Sequence, residues 1–326
     1  MEIGLVGYCC SGKTTIFSAI TGIVNPKTAI AEVSVPDTRI DTLSAIYEPK
    51  KTVYATVRVT DFPGFTSSQR SKGISGEMLQ KLKDLDAFCL VVDGFSGQRD
   101  PLEDIAAFNQ DMIINDLLLV EQRIVAKNKA NQRDGELRIL EKVHAALSAD
   151  KPASSVTLSA QEDKLVSQYR FLSRKPVLVI VNQAEGKEAN GAEGDLFYLC
   201  GTMEKEIAEL DPKDQKEFLH DLGLKEPASH RFIRRAYQVL NYISFFTIGR
   251  DEVRAWPISQ GLTARQAASK IHSDLERGFI RAEVIDYNAF MRYKSETAVK
   301  RAGKMRLEGK DYIVLDGDIL HVRFNI

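Results

Sequence analysis

Long apolar runs are missing from this chain. No stretch reaches the roughly 18 apolar residues needed to span a membrane, and the first run, Ile3–Gly7, is too short for a signal peptide. Cysteine is scarce. Cys9, Cys10, Cys89 and Cys200 are the only four, none has the C-x-x-C spacing of a zinc site, and four are too few for a disulfide scaffold. An excess of one charge is missing as well: 44 Lys and Arg stand against 45 Asp and Glu, for a net charge of −1. No strongly basic field advertises nucleic acid, and no acidic tail advertises disorder. The histidines (His144, His220, His230, His272 and His321) form no spaced cluster, and Trp256 is the lone tryptophan. Internal repeats and low-complexity tracts are absent. Together these gaps point to a reduced, cytoplasmic, soluble protein that uses no membrane. What the chain does have is apolar residues, 44% of 326, enough for about two domains with real cores.

Periodicity supplies the organisation. Ile3–Gly7 reads as a short buried strand and Lys13–Thr21 as the helix after it, closed by Gly22. Thr52–Asp61 alternates as one strand, with Val53, Ala55, Val57 and Val59 on one face; Ala87–Asp93 and Pro176–Asn182 are further apolar strands. Strands separated by helical segments predict an α/β fold with a mainly parallel sheet covered on both faces. Residues 102–149 break that rhythm. Ile105, Met112 and Leu119 recur every seven residues; a polar turn follows around Gln132–Gly135, then a helix carrying Leu137, Leu140, Val143 and Leu147. This spacing predicts an antiparallel helical hairpin inserted into the domain formed by 1–101 and 150–243. Ser159-Ala-Gln-Glu162 and Thr263-Ala-Arg-Gln266 are capping boxes that open helices. From 244 to 326 the pattern predicts a mixed sheet with one packed helix, including strands Phe245–Gly249, Val253–Ile258 and Phe279–Ile285. Asp316-Gly317 would turn a hairpin between Tyr312–Leu315 and Ile319–Phe324.

The chemistry is concentrated near the start. Gly7-Tyr-Cys-Cys-Ser-Gly12-Lys13-Thr14 fits G-x-x-x-x-G-K-[ST] between a strand and a helix. The two glycines let the backbone wrap so that its N–H groups face phosphates, and the helix N-terminus adds its positive end. Cys10, Ser11, Gly12 and Thr15 belong to this nucleotide-binding segment with Gly7. Lys13 reaches the β- and γ-phosphates, and the Thr14 hydroxyl suits Mg²⁺. Asp61-Phe-Pro-Gly64 fits D-x-x-G at a strand end: Asp61 would hold the Mg²⁺ shell, and the Gly64 N–H would sense the γ-phosphate. Phe65 follows, where the best-known small GTPases carry a water-orienting Gln. Either another group positions the water or hydrolysis is slow. Asn182-Gln183-Ala-Glu185 stands where a guanine-specific fold would place N-K-x-D. The Asp of N-K-x-D accepts from guanine N1–H and N2–H; Gln183 and the longer Glu185 weaken that match and turn the expectation from GTP toward ATP. Lys294–Arg306 is a basic segment, read as a solvated helix face with contact to RNA as the alternative.

On these residues the chain resembles the Obg-like ATPase, or YchF, family over nearly its whole length. The likeness rests on the phosphate loop, V-P-D-T-R-I-D-T-L (35–43), P-K-K-T-V-Y-A-T-V (49–57), D-F-P-G, N-Q-A-E, E-I-A-E-L-D (206–211) and E-F-L-H-D-L-G-L-K-E-P (217–227). It continues in V-R-A-W-P-I (253–258), G-F-I-R-A-E-V-I (278–285) and E-G-K-D-Y-I-V-L-D-G-D (308–318). The resemblance implies a P-loop NTPase domain with an inserted helical coiled coil and a C-terminal TGS domain of β-grasp fold. It implies ATP preferred over GTP, Mg²⁺ with the nucleotide, and association with ribosomes in translation or stress control; a monomer is expected. It brings Cys200, Gly201 and Thr202 to the base, Thr28 to Mg²⁺, and an apolar residue at Phe65. The chain departs from the family at Cys10, where an Asn is usual. Its segments around Thr28 and over 93–101 are shortened, and the second lacks the family's proposed catalytic His. A divergent relative follows, with two expectations left open: a weak ATPase, or a nucleotide-gated module that binds ribosome or RNA. An ordinary GTPase is a third.

Overall fold

The computed structural model describes residues 1–23, 29–65, 76–186, 191–193 and 196–325. Contacts divide the chain into two compact units. One holds Glu2–Ala31 and Arg58–Ser229; the other holds Met1, Glu32–Val57 and His230–Ile326.

The first unit is built on a seven-stranded sheet. Its strands are β1 (Glu2–Val6), β2 (Ile30–Ser34), β4 (Thr56–Asp61), β5 (Ala87–Gly94), β6 (Val177–Gln183), β7 (Gly191–Glu193) and β8 (Leu196–Leu199), in the order β2-β4-β1-β5-β6-β8-β7. β1 pairs parallel with β4 and β5, β5 with β6, and β6 with β8, while β7 is antiparallel to β8. Central β5 is buried along Ala87–Asp93, as a strand covered on both faces must be. Residues 7–12 link β1 to helix α1 (Lys13–Thr21), which stops where Gly22 turns left-handed (φ 68°) and donates its N–H to Ser18 O.

Two helices that pack on each other, α4 (Pro101–Lys129) and α5 (Gly135–Leu147), occupy the stretch expected to form a hairpin; α2 (Thr38–Tyr47) and α3 (Gly76–Asp84) precede them. Asp100 caps α4 with Pro101 in its first turn, and Asp134 caps α5. The buried stripe of α4 differs from the seven-residue pattern. It runs Asp104, Phe108, Met112, Asp116 and Val120, at four-residue steps, and of Ile105, Met112 and Leu119 only Met112 is fully buried. Two aspartates lie on the inward face, and a search for apolar recurrence passes over them. The N-terminal half of α4 packs through Phe108 and Met112 against the sheet core of Val6, Phe88, Leu90 and Val181. Its C-terminal half packs through Val120 against Ile139, Leu140, Val143 and Leu147 of α5. The Ser159 capping box opens α6 (Ala160–Val166) as expected. Helices α7 (Gly201–Glu209), α8 (Pro212–Asp221) and α9 (Ala228–Leu240) follow.

The second unit carries a six-stranded mixed sheet, ordered β12-β11-β13-β9-β10-β3. It is formed by β3 (Lys51–Val53), β9 (Tyr242–Thr247), β10 (Glu252–Ser259), β11 (Phe279–Asp286), β12 (Arg306–Glu308) and β13 (Asp318–Phe324). Helix α10 (Ala264–Ile271) starts at the Thr263 capping box and packs Ala264 and Ala267 on Phe245, Val284 and Leu320. Three expectations need correction. Thr52–Asp61 is two strands: β3 pairs parallel with β10, and β4 joins the other sheet. Tyr312–Leu315 is no strand; it makes one isolated bridge, Thr263 to Ile313. Three short helices, α11 (Ser273–Arg277), α12 (Tyr287–Tyr293) and α13 (Glu296–Arg301), accompany α10. Val314 nonetheless enters the core, which explains the apolar run there.

Candidate nucleotide site

The site grows from the C-terminal edge of the parallel sheet, where α/β folds place ligands. Val6 ends β1 and the chain turns at once. Gly7 has φ 148°, and a Cβ on it would stand 2.3 Å from Val91 O in the neighbouring strand. Gly12 has φ 81°, and a Cβ there would stand 2.1 Å from Asn182 Nδ2. Neither position accepts a side chain. Cys10 also turns left-handed (φ 67°), with its thiol exposed. The loop so formed opens α1, with its first amides free of intrahelical partners.

Two charges converge on it. Lys13 is 7% exposed, and its ammonium folds back to donate to Gly7 O (3.2 Å) and Tyr8 O (2.9 Å). Burial lowers its pKa, and the Asp61 charge offsets part of that. The Thr14 hydroxyl donates to Asp61 Oδ2 at 2.8 Å. Asp61 Oδ1 is buried and accepts no hydrogen bond among the described residues. Burial raises the Asp61 pKa, and the Thr14 hydrogen bond and Lys13 charge oppose the rise. Ser11 Oγ is likewise buried without a partner. A half-buried carboxylate with one orphaned oxygen beside a hydroxyl suits a hard cation. Among the described residues no cluster of three His, Cys, Asp or Glu side chains gathers, so a cation at Thr14 and Asp61 would complete its shell with phosphate and water oxygens.

Asp61-Phe-Pro-Gly64 lies against the phosphate loop. A Cβ on Gly64 would meet Cys9 Cα at 2.9 Å, and Cys9 N and Sγ at 3.0 Å. Phe65 N donates to Gly7 O and Cys9 N donates to Phe65 O, both at 3.0 Å. Phe65 itself is 6% exposed, with its ring packed on Tyr8 and Phe108. It is a core residue and orients no water.

Asn182, near the end of β6, ties two loops together. Its Nδ2 donates to Ser11 O (3.1 Å), and its Oδ1 accepts from Gly201 N (3.0 Å). Gly201 opens α7 tightly against α1: a Cβ on it would meet Ile16 Cδ1 at 2.9 Å and Thr15 Cγ2 at 3.4 Å. Cys200 is buried, with its Sγ 3.3 Å from Thr202 Oγ1. The two substituted positions of the N-Q-A-E motif part company. Gln183 is buried at the end of β6, whereas Glu185 is exposed beyond it. The structure thus brings together Gly7–Thr15, Asp61, Gly64, Asn182 and Gly201. Thr28 lies outside the described residues.

Sequence reasoning missed Asp93 and Phe95. Asp93 pairs in register with Asn182 across β5 and β6. Its carboxylate accepts from Phe95 N (3.0 Å), Ser96 N (2.9 Å) and the Ser96 hydroxyl. Burial would raise its pKa, but these hydrogen bonds and Arg99 hold it below the ordinary aspartate value. The turn sets the Phe95 ring, 43% exposed, 3.8 Å from where a Gly12 Cβ would stand, as an apolar wall beside the loop. The signal that could have found them is positional: both leave the C-terminal end of a central parallel strand.

A family described as 50S ribosome-binding GTPase matches residues 2–129, and the C-terminal family of YchF GTPases, described as a protein of unknown function, matches residues 242–325. The ribosome-binding ATPase YchF of Bacillus subtilis is 36% identical over 366 aligned positions covering 100% of both chains. That of Haemophilus influenzae is 38% identical, covering 100% of this chain and 99% of the other. The aligned lengths exceed 326 residues, so this chain lacks segments that those relatives have. The YchF GTPase structure of Schizosaccharomyces pombe superimposes with a TM-score of 0.85 at 29% identity, over 99% of this chain and 97% of that one. A GTP-binding protein of Pyrococcus horikoshii, with a TM-score of 0.62 at 16% identity, shares the fold.

Proposed function

The chain belongs to the YchF family, and on that premise we propose that it binds and hydrolyses ATP as the Mg²⁺ complex, in association with the ribosome. The observation that carries the reading is the pair of opposite charges at the loop, buried Lys13 and half-buried Asp61. Lys13 has backbone carbonyls in place of an anion, and Asp61 has one carboxylate oxygen without a partner. A phosphate chain with its cation satisfies both at once. In this reading the loop amides and Lys13 hold the β- and γ-phosphates, and the Gly64 amide meets the γ-phosphate. Thr14 and Asp61, with Thr28 as the switch residue, hold Mg²⁺, whose charge stabilises the transferring phosphoryl group. Asn182, Gln183, Glu185 and Cys200–Thr202 form the base side, with Phe95 as its wall.

Adenine is favoured over guanine because Glu185 and Gln183 replace the residues that read guanine. The bacterial relatives are named ATPases and the fission-yeast one a GTPase, so the base is the first thing to measure. The name of the bacterial relatives supports the ribosome as partner. We read 102–149 as an insert in the nucleotide domain, 244–326 as the TGS-like domain, and the protein as monomeric and cytoplasmic. Among the described residues no helix is long and apolar enough to cross a membrane.

Single-turnover ATP hydrolysis, with and without ribosomes, tests the reading. Ribosomes should raise a slow basal rate, and Lys13→Ala should abolish it. One observation favours a second reading, a nucleotide-gated module: Phe65 is buried where a water-orienting side chain would stand. If wild-type turnover is undetectable while Lys13→Ala still abolishes ribosome binding, the ATPase reading fails and the gated module stands.

A further inference from the structure

We infer that Phe108, on the first helix of the insert, is a positioning residue that sets Gly64 against the phosphate loop through the ring of Phe65. The inference rests on the nucleotide reading and goes beyond it, because it gives the helical insert a part in telling ATP from ADP.

Gly64 touches the loop too closely to move independently of it. Its missing Cβ leaves room for Cys9 by a margin of about one carbon atom, and the Cys9 thiol donates to Gly64 O at 3.4 Å. The next residue is annealed to the loop by two backbone hydrogen bonds, and Tyr8 and Phe65 form a parallel bridge. Backbone bonds of this kind fix height over the loop but tolerate sliding and tilt. What fixes the tilt is the ring. The Phe65 centroid lies 6.1 Å from that of Tyr8, edge-on at 66°, and 6.1 Å from that of Phe108, at 40°. Phe108 is 1% exposed and rests edge-on against Phe88 of central β5, at 5.8 Å and 85°. The Phe65 ring therefore sits in a socket whose floor is supplied by α4.

That floor is anchored on both sides. Asp104, one turn before Phe108, pairs with Arg99, whose guanidinium also lies 5.2 Å over the Tyr8 ring. Asp116, two turns after it, accepts from Leu172 N (2.9 Å), Ser173 N (2.7 Å) and Ser173 Oγ (2.6 Å). Asp104 thus ties α4 to the Arg99 that lies over Tyr8, and Asp116 ties it to the segment at Leu172–Ser173. A phenylalanine at 65 exchanges the solvent-facing role of a glutamine for a mechanical one.

The test separates γ-phosphate sensing from nucleotide binding and from folding. ADP meets the loop and the Asn182 bracket but has no γ-phosphate for Gly64. In wild type, ATP should bind more tightly than ADP in the presence of Mg²⁺. Phe108→Ala should leave ADP affinity within about twofold and reduce the ATP preference by about tenfold, the scale of one lost charge-assisted hydrogen bond. Phe108→Leu, which refills most of the space, should restore it. Val120→Ala removes a fully buried side chain from the far half of the same helix. It should lower the melting temperature as Phe108→Ala does and leave the preference intact. The inference is overturned if Phe108→Ala keeps the wild-type ATP-to-ADP ratio, if Val120→Ala loses it equally, or if wild type binds both equally. That last result leaves nucleotide binding standing. A wild-type protein that binds neither nucleotide overturns the nucleotide reading, and the inference with it.

Discussion

Asp61 has one oxygen held by Thr14 and the other buried without a partner among the described residues. Burial places its pKa above the ordinary value of 3.8. The folded chain therefore binds that proton more tightly than the unfolded chain does. Stability at this site is greatest when the group is protonated, and falls as pH rises from about the ordinary value through the raised one. Asp61→Asn should raise the Tm of the nucleotide-free protein near neutral pH. It should also abolish Mg²⁺-dependent ATP binding. Thermal melts with and without Mg²⁺ and ATP check both; a destabilised variant that still binds would contradict this assignment. Asn182→Ala removes the acceptor for Gly201 N and the donor to Ser11 O. It should weaken ATP and ADP binding alike, by about tenfold or more. Phe95→Ala should weaken binding of the whole nucleotide and leave inorganic triphosphate binding unchanged, because an apolar ring offers no hydrogen bond or charge to phosphate oxygens. Competition of triphosphate against ATP measures that difference.

At the scale of elements, α4 joins two cores through Phe108, Met112 and Val120, with Asp104 and Asp116 on the same inward face. Asp116→Ala would strand three donors, two of them backbone N–H groups, at the cost of about 3 kcal/mol. Asp116→Asn, which keeps one acceptor, should lose less. Urea unfolding of the two variants orders them; equal stability with wild type would show that the contact contributes nothing. The same helix shows what was legible in the sequence. The Ser159 and Thr263 capping boxes and Gly22 fix helix ends by local chemistry, so those ends were readable. The phosphate loop was readable because two glycines and a lysine have few other reasons to stand at that spacing. Thr52–Asp61 misled because alternation continues through Val53, Ala55, Val57 and Val59 while the chain passes from one sheet to another. Tyr312–Leu315 misled because an irregular segment can bury one apolar residue, Val314, as a strand does. Phe95 and Phe108 were invisible. Their partners, Gly12 and Phe65, are tens of residues away, and no local pattern records such a meeting.

At the scale of the molecule, a net charge of −1 gives no long-range attraction to RNA. Ribosome association would then depend on local surfaces and on the nucleotide. Co-sedimentation with ribosomes should be stronger with Mg²⁺ and a non-hydrolysable ATP analogue than with ADP, and should fall as salt rises. Equal sedimentation in both states would argue against gating. The claim on which the rest depends is that the loop 7–14 holds ATP with Mg²⁺. Calorimetric titration of the full chain with ATP, ADP, GTP and GDP, each with and without Mg²⁺, tests it most directly. ATP should bind in an Mg²⁺-dependent manner at least about tenfold more tightly than GTP, one base-reading contact being worth that much. Tight GTP binding with ATP undetectable would contradict it.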